Sequence, residues 1–301
     1  MATALTTSAP ATSVAAPPTQ RKAPRHPWRS LGWQLVMLAV VAVLLYPMAW
    51  LISASFKSSG EIFTSTSFLP EVFTPQNWKD AIDGVGGLSF AQLLGNSMLL
   101  SGLTVVGNVF SCTLAGYALA RLRFKMQGAF FAFTIVTLML PMHVVLIPQY
   151  IIFHQLGMIG TFWPLLLPKF LATQGFFVFL VIQFVRGIPV ELDEAATVDG
   201  AGTFRTFFSV MLPLIRPAII TTAIFSFIWS WNDFFGQLIF LNDPKTYTLQ
   251  LGLRLFIDQS STSSYGPMFA MSVLALVPVL LFFLVFQRYL IEGVATSGLK
   301  G

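Results

Sequence analysis

The run Leu31–Ser53, LGWQLVMLAVVAVLLYPMAWLIS, holds 23 residues and no charge. A helix needs about 20 apolar residues to cross the hydrocarbon core of a bilayer. Backbone groups left unpaired there are costly, so such a run reads as a membrane helix. It is longer than the roughly 7–15 residues of a signal-peptide core, so despite the small residues Ser53-Ala54-Ser55 it reads as a retained anchor.

Five more runs pass the same test: Leu93–Ala120, Ala129–Phe153, Thr161–Val185, Pro217–Phe240 and Pro267–Leu290. All are far longer than the roughly 9–11 residues of a membrane strand. The expectation is an all-α integral membrane protein with six transmembrane helices. Composition agrees: of 301 residues, 55% are hydrophobic and only 10% charged, against about 25% charged in soluble domains. Mean hydropathy is +0.75. A chain so poor in charge cannot cover a water-facing surface.

The net charge is +5, yet the basic residues form no compact patch, so nucleic acid is not an expected partner. They act instead as topology signals, because Lys and Arg favour the cytoplasmic side. Arg21, Lys22, Arg25, Arg29, Arg121, Arg123, Lys125, Arg186, Arg205, Arg216, Arg288 and Lys300 fall on one side; Lys57, Lys79, Lys245 and Arg254 fall on the other. Both termini are therefore expected in the cytoplasm. Residues 1–27, rich in Ala, Thr, Ser and Pro, read as a disordered cytoplasmic tail. Residues 28–301 form the membrane domain. The external connections Ala54–Phe90 and Leu241–Gly266 are open to two readings, solvated loops or a docking surface for an external partner.

The connection over about 186–217 carries the chemistry. Pro189 suits the first position of a helix, and Glu191, Asp193 and Glu194 complement its dipole. Asp199-Gly200 reads as a stop with Gly200 in a left-handed cap, and Thr203 as the cap of a second short helix. On these grounds alone, an amphipathic helix lying on the membrane surface is an equal reading.

Glu194-Ala195-Ala196, Gly200, Val210 and Leu212-Pro213 resemble the EAA loop of ABC importer permeases, E-A-A, three residues, G, nine residues, I, one residue, L-P. Six of the seven fixed positions match, with Val210 replacing Ile. Gly116-Tyr117-Ala118-Leu119-Ala120-Arg121 with Phe124, Trp231-Asn232-Asp233-Phe234 and the tail Gln287–Gly293 with Lys300-Gly301 are similar to blocks of the second permease subunit of maltose-type sugar importers. The resemblance implies the type I ABC importer permease fold in a bacterial inner or plasma membrane. It implies a coupling helix, with Glu191, Glu194, Ala195, Ala196, Asp199, Gly200, Ala201, Leu212 and Pro213 at the ATPase contact. The implied partners are a second, non-identical permease, an ATPase dimer and an extracellular or periplasmic solute-binding protein, amid membrane lipid.

No G-x-x-x-x-G-K-[ST] loop is present, so ATP and Mg²⁺ are expected on the ATPase subunits, with no cofactor in this chain. No nucleophile-base arrangement stands out, no metal spacing links the histidines, and Cys112 is the single cysteine. The chain is expected not to be an enzyme.

Charges within spans are costly and tend to face a cavity or a partner. Lys169, Asp233 and His143 lie at similar depths, about 12, 10 and 15 Å below the outer ends of their spans. Lys169 and Asp233 read either as a structural ion pair or, with His143, Trp231 and Asn232, as lining of a solute path. Trp229, Trp231, Phe234 and Phe235 offer either lipid and core packing or faces for sugar stacking, although the resemblance assigns substrate contacts mainly to the partner permease. The reading is a sugar-importer permease. A permease for another solute such as glycerol phosphate, and an ion-driven secondary carrier, are the alternatives.

Overall fold

The computed structural model describes residues 27–258 and 264–298, with side chains over 31–141, 143–257 and 264–287. The expected tail over 1–27 lies outside these residues except for Pro27, which opens the first helix, and the side chains of 288–301 lie outside them as well.

The helices, in order, are α1 Pro27–Ala54, α2 Glu61–Thr64, α3 Gln76–Asp83, α4 Phe90–Arg121, α5 Gln127–Met139, α6 Met142–Gln155, α7 Trp163–Phe170 and α8 Gly175–Arg186. They continue with α9 Glu191–Val198, α10 Thr203–Thr206, a π-helical turn Phe207–Met211, α11 Leu212–Leu214, α12 Arg216–Asn232, α13 Phe234–Phe240, α14 Leu249–Asp258 and α15 Tyr265–Gly298. Among the described residues there is no strand, only an isolated bridge between Val85 and Leu88.

The chain divides into two units, one ending at Met48 and one beginning at Ala49. In the first, α1 exposes Trp33, Leu38, Val43 and Leu44, which point to different faces. A helix apolar all round suits a lipid surrounding.

In the second unit, α4 is central, and α12 and α8 pack most extensively on it. Its two faces differ. Ser97, Ser101, Thr104, Asn108 and Ser111 recur every three or four residues and are buried. On this side Asn108 Nδ2 donates to Ser226 Oγ at 3.0 Å and Ser230 Oγ donates to Thr104 Oγ1 at 3.3 Å, both across to α12. Small polar side chains let membrane helices approach closely and bond across the seam. Toward α8 the contact is apolar, through Cys112, Leu119, Phe177, Val178 and Ile182.

Four stretches are long and apolar enough to cross a membrane: Leu31–Ala54, Phe90–Arg121, Trp163–Arg186 and Tyr265–Gln287. Two bent pairs raise the number up to six. The expected third span, Ala129–Phe153, is a pair bent by 109°. The break falls at Leu140-Pro141, where proline denies the helix a backbone donor. The expected fifth span, Pro217–Phe240, is interrupted at Asp233, and α12 instead pairs with Thr203–Leu214 at 74°. The fourth span is interrupted over Leu171–Gln174.

Residues 55–78, which follow α1, are held by hydrogen bonds and ring stacking. Asn77 Nδ2 donates to the carbonyls of Ser55 and Lys57 at 2.9 and 2.8 Å, and Phe56 stacks on Phe73 and Trp78. Lys57 is fully buried and donates to the Ser67 carbonyl. Ala81 of α3 and Leu249 and Phe256 of α14 join Phe227, Trp231, Ala270 and Met271 in one core.

Candidate functional site

Two helix breaks within apolar stretches border the same cavity. The first separates α7 from α8. Pro168 sits inside α7, Ala172 takes φ 54°, and Thr173 Oγ1 donates to the Pro168 carbonyl at 2.9 Å. A non-glycine residue at positive φ costs free energy and persists only where its surroundings enforce it. The second break is at Asp233, whose Oδ1 accepts from Gly236 N at 2.9 Å and so caps α13. Gln237 Nε2 reaches back to the Ser230 carbonyl at 2.9 Å, and Gln237 Oε1 accepts from the Thr248 hydroxyl. These side chains satisfy backbone groups freed by the break, which is the condition for broken helices in a membrane.

Between the breaks lies a cavity of about 500 Å³, within the range of about 300–1,000 Å³ usual for small-molecule sites. Lys169, Asn232 and Asp233 line it, together with Asn108, Trp229, Phe177, Phe234 and Phe235. Lys169 and Asp233 do not form an ion pair within 4.0 Å. The other two residues expected on the path sit differently. His143 stacks on Phe235, ring centroids 5.3 Å apart, so it reaches the cavity only through that ring. Trp231 is buried beside Phe227 and belongs to the core. Trp229 takes the wall position, in an aromatic cluster with Phe176, Phe177 and Phe225.

Asn108 was not singled out from the sequence. The signal for it is the row of polar residues at helical spacing along Ser97–Ser111. Gly107 beside it allows α7 to close in, since a Cβ there would stand 2.9 Å from the Phe170 ring and 3.2 Å from the Lys169 carbonyl carbon.

At the other end of α4 the EAA-like residues form a short projecting helix. Glu191, Glu194, Ala195, Asp199 and Gly200 are exposed, and Ala196 is buried. Gly200 has φ 80°; its N–H donates to Thr197 O at 3.0 Å and the Ala201 N–H to Ala196 O at 2.9 Å. This pair of bonds is the Schellman stop, which places glycine in the left-handed position. Pro189 precedes α9, which begins at Glu191, with Val190 at its N-cap. The expected cap by Thr203 is not formed: Gly202 holds the N-cap of α10 without a side-chain bond, and Thr203 is the first helical residue. The second helix widens into the π turn, from which Phe207, Met211 and Ile215 pack on Tyr117, Val181 and Val185. Leu212 is half-buried and Pro213 exposed.

One ion pair clamps this loop to α4. Arg121 Nε lies 2.8 Å from Asp193 Oδ2, and Arg121 Nη2 donates to the Ile188 carbonyl. In the sequence Arg121 stands only as a topology signal and part of a motif block.

Residues 107–296 match the family described as the binding-protein-dependent transport system inner membrane component. The chain belongs to this family. The permease is 33% identical to YurM, a probable ABC transporter permease protein of Bacillus subtilis, over 92% of each chain. It is 33% identical to GanQ of the same organism, a galactooligosaccharides transport system permease protein, over 90% of this chain and 96% of the relative. It is 31% identical to UgpE of Brucella abortus, an sn-glycerol-3-phosphate transport system permease protein, over 91% and 98%. Among solved structures, a chain of a bacterial ABC transporter involved in import of the acidic polysaccharide alginate superposes with a TM-score of 0.74 at 22% identity, covering 90% of this chain and 99% of that one. The fold is that of a type I ABC importer permease, and the family membership sets aside an ion-driven secondary carrier.

Proposed function

We propose that this chain is one of two non-identical permeases that form the path of an ATP-driven importer, and that a solute-binding protein outside the membrane delivers a carbohydrate to it. In this reading six spans cross the bilayer, with the third, fourth and fifth broken, and both termini are cytoplasmic, as the bias of Lys and Arg favours. ATP and Mg²⁺ are bound and hydrolysed on two partner subunits, and this chain is not an enzyme.

The observation that carries the proposal is the exposed acidic helix α9, stopped by Gly200 and clamped to α4 through Arg121–Asp193. Val198 and Phe204 beside it are 87% and 77% exposed. Apolar side chains so open around a small-residue turn suit a protein partner. α4 then links the two regions. It runs unbroken for 32 residues, with Arg121 at the cytoplasmic end and Asn108 on the cavity wall, about 20 Å apart along the axis. Closure of the ATPases moves α9, the clamp moves the end of α4, and the cavity wall shifts with it.

The test is Gly200→Asp and Glu194→Lys in the purified complex. A Cβ at Gly200 meets nothing of this chain within 4 Å, so the fold tolerates it apart from the positive φ. The expected result is an inserted protein that loses retention of the ATPase or its stimulation by loaded binding protein. Normal retention together with normal stimulation in Gly200→Asp would refute the coupling role.

A further inference from the structure

The stretch that follows α1 turns its polar groups inward and its apolar ones outward. Ser53, Lys57, Glu61 and Asn77 are buried. Phe63, Leu69, Val72 and Phe73 are 63–69% exposed, and Phe68 is 41% exposed. A water-facing loop has the opposite arrangement, with large apolar side chains inside and charges out.

The inward groups are spent on the backbone. Ser53 Oγ donates to the Phe68 carbonyl, Lys57 Nζ to the Ser67 carbonyl, Ser67 Oγ to the Leu69 carbonyl at 2.9 Å and Thr74 Oγ1 to the Val72 carbonyl at 3.2 Å. Glu61 Oε1 accepts from Glu71 N at 2.8 Å. Four carbonyls of a non-helical segment thus find donors within the chain. Water would supply donors to an immersed loop, whereas irregular backbone beside lipid must bring its own.

Position and charge agree. The segment begins where the apolar run Leu31–Ala54 ends, and Phe63 meets Tyr265, the first residue of the run Tyr265–Gln287, edge-on with ring centroids 4.7 Å apart. One turn further along α15, Phe269 meets Trp50 of α1. Two membrane-crossing runs therefore end beside this segment, and Ile52, 48% exposed, carries an apolar surface up to it. Between Ser58 and Trp78 the only charged residues are Glu61, which is buried, and Glu71, which accepts from Ser65 Oγ at 2.9 Å. No cation is present to select anionic lipid. The exposed hydroxyls of Thr66 and Ser67 suit headgroup depth. A face for a transient protein partner would stand in water between encounters, where so many large apolar side chains are a liability.

We propose that residues 63–73 are an interfacial membrane anchor, seated at the boundary of headgroups and acyl chains in the leaflet where α1 ends, with Phe63, Leu69, Val72 and Phe73 turned into neutral phospholipid. This holds whichever solute the transporter carries.

The test uses the complete transporter in nanodiscs of phosphatidylcholine, with Cys112→Ser here and the cysteines of the partner subunits replaced. A nitroxide is attached at Leu69→Cys or, separately, at Val72→Cys, and its relaxation is read with oxygen, which concentrates in lipid, and with a nickel chelate, which stays in water. Both side chains are exposed, so their replacement leaves the core intact. With no binding protein present, oxygen is expected to dominate at both sites, and the chelate at Lys79→Cys, a control exposed on α3. Dominance of the chelate at either site means a solvated loop and overturns the proposal. If that chelate access is lost when loaded binding protein is added, the segment is a docking face for that protein, which overturns it as well. Poor access of both relaxants without binding protein means that another subunit covers the segment, and the anchor is again refuted.

Discussion

Replacing Arg121 by Met removes both ties between α4 and the projecting loop, the 2.8 Å contact with Asp193 and the bond to the Ile188 carbonyl. The side chains of the pair are 13% and 19% exposed, between surface and interior. Exposed pairs contribute about 0–1 kcal/mol, whereas stranding one member of a fully buried pair costs about 3–5 kcal/mol. Neither Arg121 Nε nor the two Asp193 oxygens have an aligned hydrogen bond, so the attraction is mainly that of charge. A cost of about 2 kcal/mol follows, or roughly a 30-fold rise in the undocked fraction of α9. Asp193→Asn should cost less, since Arg121 keeps Ile188. The double change Arg121→Met with Asp193→Leu should cost less than the sum of the single changes, because no charge is stranded. Hydrogen exchange of the purified complex reads this directly: amides over 194–201 should exchange about 30-fold faster in Arg121→Met, with α15 unchanged. Parent-like exchange over 194–201 would show that the clamp does not hold the loop.

Other expectations concern the cavity region. Gln237→Leu leaves the Ser230 carbonyl with only the Asp233 N–H at 3.4 Å and strands the Thr248 hydroxyl; it should lower stability by about 1–3 kcal/mol, read as a depressed thermal midpoint in detergent. Gly107→Leu drives a side chain into the Phe170 ring 2.9 Å from its Cβ, at a cost of about 1–3 kcal/mol, and should fail the same measurement even if insertion is normal. Lys169→Gln and Asp233→Asn, whose parent side chains form no ion pair within 4.0 Å but line one cavity, should couple by no more than about 1 kcal/mol; a coupling well above that would restore the pair.

Hydropathy made α1, α4 and α15 legible, because each is a long apolar helix without interruption. It passed over the breaks at Ala172 and Asp233, since a window of apolar residues averages across one non-helical position. Asn232-Asp233 did carry a signal, as both residues favour caps over helix interiors. The left-handed stop at Gly200 followed from local chemistry, while the Thr203 cap failed because Gly202 had already taken the capping position. Trp231 and Trp229 differ by two residues and so lie on nearly opposite sides of α12; nothing local says which faces the core and which the cavity. The Arg121–Asp193 clamp joins residues far apart in the chain, and only the packing of α4 on the loop brings them together.

The first turns of α4 and the turn before α14 also bear on how the chain is made. Asn96 Nδ2 donates to the carbonyls of Lys245 and Tyr247 at 2.9 and 2.8 Å, across 149 and 151 residues of sequence. A ribosome adding about 5–20 residues per second takes roughly 8–30 s to reach those partners after α4 has emerged. Throughout that interval the row Ser101, Thr104, Asn108 lacks its final neighbours on α12. Nascent α4 must therefore wait with its polar side uncovered by this chain, and closure of the Asn96 contact is a late event of biogenesis.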